Sequence, residues 1–213
     1  SRLDDFETQL RQAGISVVDL LQPMSAAGGE VYYRTDTHWN ERGAKAAADA
    51  IAAALRQAGL APAQKAEFKV TTDPTAERVG DLIRLAGLDR VAWPFRPRGD
   101  DEAATVIKQS AATSVGILDE TPPPELAVIG TSFSRRANFV PFLSLALTAP
   151  VDNRAEDGGG VTNAAIAYFA KPDFLKSPPR AIVWEIPERM VEESVTDSDD
   201  AWAKSLGVPQ TVK

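Results

Sequence analysis

The chain has 213 residues, 44% of them hydrophobic and 25% charged, with a net charge of −7. This is enough apolar material for one large domain with a real core and too much for a disordered chain. The acidic balance argues against a nucleic-acid partner, which needs a basic face, and the lack of cysteine excludes a disulfide, a thiolate metal site and a cysteine nucleophile.

A neutral polysaccharide is compatible with this charge, whereas an anionic polymer would need a local basic patch. No run of about 18 apolar residues is present, so no stretch reads as a spanning helix. No signal-peptide pattern is present either. The chain opens at Ser1 in what reads as a helix, which is compatible with prior removal of an export signal or anchor.

Residues 3–13 repeat apolar side chains at Leu3, Phe6, Leu10 and Ala13, which is helical spacing. Gly14 ends that helix. Ile15 to Leu21, centred on Val17 and Val18, reads as a short buried strand. A strand preceding the first helix would complete a parallel unit, so further sequence upstream is expected. Glu30 to Tyr33 reads as a short strand or extended segment. Asn40 is placed to cap a helix running to about Ala58, with Ala44, Ala47, Ala48, Ile51 and Leu55 as its buried stripe.

Residues 61–124 are less regular and read as an insertion over one end of a sheet. Phe68 to Val70 is a candidate strand and Val79 to Leu85 the start of a short helix. Trp93 to Arg98 is barred from regular helix by its prolines. Asp100 to Ser110 reads as a polar surface excursion and Val115 to Leu118 as an edge strand. Thr121 to Pro124 is a rigid entry to the clear buried strand Leu126 to Ile129.

Phe139 to Leu147 is apolar and helical, with Pro141 in its first turn. Val151 to Asn153 is a short strand, Val161 to Ala170 a helix, and Ala181 to Ile186 a last buried strand. The tail from 191 to 213 reads as acidic and loose. Strands alternating with helices imply a three-layer α/β/α sandwich with a mostly parallel sheet.

Two stretches carry candidate chemistry. Ser132 follows a buried strand through Gly130 and Thr131 and precedes a helix, an elbow that exposes a hydroxyl at the carboxyl end of a sheet. Amides at the helix start could bind an oxyanion. The alternative is a helix cap, a role for which Ser134 competes. His38 is the only histidine, with Asp36 two positions before it. A carboxylate can hold one ring nitrogen while the other takes a serine proton. The alternatives are an Asp cap beside a half-buried His, or a metal site for which no other His or Cys supplies ligands. Gly158, Gly159 and Gly160 allow backbone amides to approach a reacting oxygen or form a plain loop. Asn163 either donates to that oxygen or caps the next helix. All four features fall at ends of sheet elements, where parallel α/β folds place their sites.

The block Tyr33, Thr35, Asp36, Thr37, His38, Trp39, Asn40, Gly43, Ala44 resembles the signature of the alginate O-acetyltransferase family of AlgJ/AlgX type. Supporting resemblances are Gly80-Asp81-Leu82, the Val128 to Ser134 block and Trp184 to Arg189. They run from about Ala13 to Met190. The resemblance implies an SGNH-hydrolase-like catalytic domain over 1–190. It is circularly permuted, because the order here is Asp, His, Ser. It also implies Ser132 as nucleophile, His38 as base, Asp36 as orienter, and Gly160, Asn163 and Thr131 as candidates around the oxyanion and substrate, with no metal and no cofactor. The implied activity is acetyl transfer to an exopolysaccharide such as alginate, in the periplasm. A membrane O-acyltransferase would supply the donor, and other exopolysaccharide biosynthesis proteins would be partners. A carbohydrate acetylesterase with the same triad and a non-catalytic polysaccharide-binding scaffold are the alternatives.

Overall fold

The computed structural model describes residues 1–92, 94–110, 122–158 and 160–207. Its helices are α1 (Arg2–Gln12), α2 (Leu21–Ala26), α3 (Glu41–Gln57), α4 (Asp81–Leu85), α5 (Ser132–Arg135), α6 (Phe139–Leu147), α7 (Asn163–Phe169), α8 (Pro172–Lys176), α9 (Glu188–Val191) and α10 (Asp197–Ser205). Its strands are β1 (Phe68–Thr72), β2 (Ala76–Arg78), β3 (Asp100–Glu102), β4 (Thr105–Gln109), β5 (Leu126–Ile129), β6 (Asp152–Asn153) and β7 (Ala181–Trp184).

The organising strand is β5. It pairs in parallel with β6 on one side and β7 on the other, and all four of its residues are buried. Alternation along the strand divides its side chains between two layers. Leu126 and Val128 join the cluster built by α3 and α6, while Ala127 and Ile129 join Ala164, Ala165 and Tyr168 of α7. Three layers follow directly.

The α3 layer depends on small side chains. Ala44, Ala47, Ala48 and Ala52 are fully buried, and Ile51 lies on the same stripe. That smooth stripe lets α6 lie close, filling the space with Phe139, Phe142 and Leu143. Burying each such large side chain contributes about 1.5–3 kcal/mol. Asn40 caps α3 by accepting from the amides of Arg42 and Gly43 at 3.0 and 3.1 Å. Gly43 is needed for close approach, since a Cβ there would sit 2.3 Å from the Val31 carbonyl oxygen.

Four expectations change. Residues 15–20 carry no regular secondary structure and pair with no strand among the described residues, and Ile15 is 52% exposed. Val18 and Leu20 pack against the α3 layer instead. A short apolar run does not specify a pairing partner, and none is supplied here. Residues 100–109 are not an excursion: β3 pairs with β2 and β4 with β1, all antiparallel. The wholly acidic β3, and in β4 only the adjacent apolar pair Val106 and Ile107, left no alternation to read. The strand Ala181–Trp184 is half-buried at the sheet edge rather than fully buried. The tail is helical over α10, closed by a capping box at Thr196 and Asp199, with Trp202 against Phe169. The expected strand at 115–118 lies outside the described residues, as does Trp93. Among the described residues, no helix is long and apolar enough to cross a membrane.

Candidate active site

The Asp36–His38 loop is closed by its own backbone. Tyr32 and Trp39 form an isolated antiparallel bridge, and the Tyr33 amide donates to the His38 carbonyl at 3.2 Å. The tight turn inside puts Asp36 and His38 on one inward side, both buried at 6% and 7% exposure. Asp36 Oδ1 lies 2.5 Å from His38 Nδ1 and accepts from the His38 amide at 3.0 Å. Its Oδ2 accepts from Arg78 at 2.8 Å and from the Asp81 amide at 3.1 Å. Burial pushes this carboxyl up, but the bonds from the His38 ring and amide, Arg78 and the Asp81 amide outweigh it and hold the pKa at about 2.

The second loop leaves β5 through Gly130. A Cβ on Gly130 would meet Glu185 Oε2 at 2.7 Å, so only glycine fits. Thr131 caps α5, its Oγ1 accepting from the Phe133 amide at 3.2 Å. The Thr131 hydroxyl and amide both donate to Glu185, at 3.0 and 2.8 Å, and the Ser134 hydroxyl donates at 3.1 Å. Burial pushes the Glu185 carboxyl up, opposed by these donors. Ser132 sits between the two tethered residues, at the first position of α5.

Packing brings the two loops together. The Trp39 indole N–H donates to the Phe133 carbonyl at 3.0 Å, and its ring meets Phe133 edge-on with centroids 5.3 Å apart. The His38 ring also lies against Phe133, at 4.9 Å. The residues adjoining each functional group therefore dock the groups themselves. His38 Nε2 ends 2.7 Å from Ser132 Oγ, across 94 positions of sequence.

Asp36, His38 and Ser132 line a cleft of about 220 Å³, with Arg78, Asp81, Arg84, Arg136, Asp157 and Gly158 around them. A larger hollow of about 550 Å³ lies along the ribbon, bounded by Thr75, Ala76, Glu77, Arg98 and Asp101. No histidine or serine lines it. Gly158 reaches the cleft. Gly160 lies two residues on in a left-handed turn, and Asn163 is an exposed residue opening α7; neither is among the residues lining the cleft. Thr131 is buried, its hydroxyl committed to Glu185 and the cap rather than to the cleft.

Sequence reading missed Arg78, Arg84, Arg136 and the roles of Asp81 and Glu185. The last two lie inside blocks already singled out, Gly80-Asp81-Leu82 and Trp184 to Arg189, which was the available signal. Asp36, His38 and Asp81 also have donor atoms within 4.8 Å of one another. Each carboxylate, however, already accepts at least two N–H or O–H bonds. These bonds orient both carboxylates on the loop.

A hydroxyl at the carboxyl end of the central parallel strand, with a buried imidazole and carboxylate in line behind it, defines an SGNH hydrolase-like α/β protein. Residues 1–188 match the family described as SGNH hydrolase-like domain, acetyltransferase AlgX, and the chain belongs to that family. It is 34% identical to the probable alginate O-acetylase AlgJ of Azotobacter vinelandii over 211 residues, covering 95% of this chain and 54% of that protein. It is 30% identical over 186 residues to the alginate biosynthesis protein AlgX of Pseudomonas aeruginosa, covering 83% of this chain and 38% of that protein. The chain thus spans about half the length, or less, of these relatives. The solved O-acetyltransferase domain of Pseudomonas putida AlgJ superposes with a TM-score of 0.79 at 32% identity, covering 96% of this chain and 71% of that one.

Proposed function

We propose that this protein moves acetyl groups through an acetyl-Ser132 intermediate onto hydroxyls of a bacterial exopolysaccharide such as alginate. The observation that carries this reading is the hydrogen-bonded series Asp36–His38–Ser132, at 2.5 and 2.7 Å, in a chain whose relatives are called alginate O-acetylases. His38 Nε2 takes the Ser132 proton as Oγ attacks the acetyl carbonyl. Asp36, anionic at neutral pH, fixes the tautomer and stabilises the imidazolium. Collapse expels the donor's leaving group, which takes the proton from His38. A sugar hydroxyl then gives its proton to His38 and attacks the acetyl carbon. The Ser132 ester bond breaks, and Oγ recovers a proton from the imidazolium.

The developing oxyanion needs fixed donors. The Ser132 amide, at the start of α5, and the backbone at Gly158 border the cleft. They are better placed for this than Gly160 or Asn163. One such donor contributes about 3 kcal/mol, or roughly 100- to 1000-fold in rate. A uronate polymer is anionic and the chain is acidic, so recognition must be local. Arg84 and Arg136 face the cleft, and Arg84 has no carboxylate partner among the described residues. The reading also places the protein in the periplasm, its donor delivered by a membrane O-acyltransferase.

The test is to supply an acetyl donor with an oligouronate and follow both products. Acetylated sugar and a Ser132 adduct of one acetyl mass, absent in Ser132→Ala, are expected. Free acetate with no acetylated sugar would make the protein an esterase. Unchanged turnover in Ser132→Ala would remove Ser132 as the nucleophile, and no turnover in the wild type would reduce the protein to a binding scaffold.

A further inference from the structure

The ribbon segment 68–109 holds the Asp36–His38 loop at each residue from Tyr33 to Thr37. Glu102 accepts from the Tyr33 hydroxyl. Asp100 accepts from the amides of Arg34 and Thr35, at 2.8 and 3.1 Å. The Leu82 amide donates to the Thr35 carbonyl at 3.1 Å. Asp81 makes the most intimate contact. Its amide donates to Asp36 Oδ2 at 3.1 Å, and its carboxylate accepts from the Thr37 amide at 2.7 Å and the Thr37 hydroxyl at 2.5 Å. One residue therefore grips the acid on one side and the only residue between acid and imidazole on the other.

We propose that Asp81 is a positioning residue for acyl transfer: by holding Thr37 it keeps the Asp36 carboxylate and the His38 ring aligned on Ser132. The inference rests on the Ser132 chemistry proposed above and assigns a role to the Gly80-Asp81 turn. The loop's own backbone ties are few, namely the Tyr32–Trp39 bridge, the Tyr33–His38 bond and a bond from the Asn40 amide to the Val31 carbonyl. The turn that aims the ring has no regular structure of its own. Both bonds of the imidazole must survive for the proton to pass. A displacement near 1 Å at such a site costs about 100-fold in rate. Asp81 Oδ2 is 3.5 Å from His38 Nδ1, too far for the bond that Asp36 makes, so it acts through Thr37 and not as the orienting acid.

The experiment follows acetylation of Ser132 from p-nitrophenyl acetate by intact mass, against ester concentration, in Asp81→Ala, Asp81→Asn and Thr37→Val of the whole chain. Asp81→Ala should lower the maximal rate about 30- to 100-fold at an unchanged half-saturating concentration and a melting temperature within a few degrees. Asp81→Asn keeps one acceptor and offers an N–H to the Thr37 hydroxyl, so it should recover to within about 5-fold of wild type. Thr37→Val deletes one of the two bonds without touching the acid and should lose about 3- to 10-fold. It keeps the test decisive if Asp81→Ala does not fold. Wild-type rates in Asp81→Ala or in Thr37→Val would overturn the proposal, as would an Asp81→Asn variant no better than Asp81→Ala. Ser132→Ala run alongside separates the two readings. If it still gains acetyl, the functional reading has failed; if it does not while Asp81→Ala reacts normally, only the positioning role has.

Discussion

Asp36, which is buried, and Glu185, which is half-buried, are carboxylates with opposite environments. Asp36 is met by an imidazole, a guanidinium and two amides, so its folded pKa lies at about 2, below its ordinary 3.8. The stabilisation is fully present above about pH 4 and is lost as pH falls through 2; the difference corresponds to about 2 kcal/mol. Denaturant titrations at pH 5 and pH 2 should therefore show wild type losing about 2 kcal/mol more than Asp36→Asn; equal losses would mean that the network does not hold the charge. Glu185 is met by hydroxyls and one amide but no cation at hydrogen-bonding distance. Its pKa is raised, so ionised Glu185 costs stability at neutral pH, and the cost lifts as pH falls through its folded value. The first carboxylate is kept charged against the His38 ring, while the second braces Thr131 and Ser134 on either side of Ser132.

At the scale of elements, the ribbon and the turn at Gly80 matter most. Gly80 has an ordinary extended backbone, so its requirement is purely steric. A Cβ there would lie 1.9 Å from the Thr35 carbonyl oxygen and 2.3 Å from its carbon. Both are backbone atoms of the loop that carries Asp36, and neither can swing aside. Gly80→Ala should cost about 1–3 kcal/mol and, by pushing this loop, lower acetylation at least 10-fold in protein that remains folded. Melting curves and the acetylation assay read the two effects separately. Gly43 obeys the same rule at the other end of the loop, where α3 starts against Val31.

At the scale of the molecule, the core and the cleft are separable. Leu143 is fully buried between α3 and the sheet and contacts no residue of the cleft by hydrogen bond or charge. Leu143→Ala should destabilise by about 2–5 kcal/mol, read as a lower melting temperature, with the acetylation rate per folded molecule unchanged in the cold. A fall in that rate matching the fall in stability would show that the α6 layer also sets the site. The acidic surface and the arginine-bordered cleft divide in the same way. Net charge governs solubility, while the few cations around Ser132 line the cleft.

Much of the architecture was legible along the chain. Asn40 announced α3 because capping is local, and the alanine stripe announced its buried face because helical period is local. The run 126–129 announced the central strand because both its faces are buried and every residue is apolar. His38, Asp36 and Ser132 could be named from their positions at element ends. What no local pattern contains is the partner of a polar group. The ribbon strands 100–109 were hidden because β3 is wholly acidic and β4 offers only the adjacent pair Val106 and Ile107, which shows no apolar alternation to read. Asp81, Arg78 and Glu185 were hidden because each works on a residue at least 42 positions away. The order of residues thus set which segments are helix or strand and which side chains can react. Only the docking of Trp39 on Phe133, and of the ribbon on the Asp36 loop, decided that those side chains meet, since hydrogen-bond geometry depends on distances that folding alone creates.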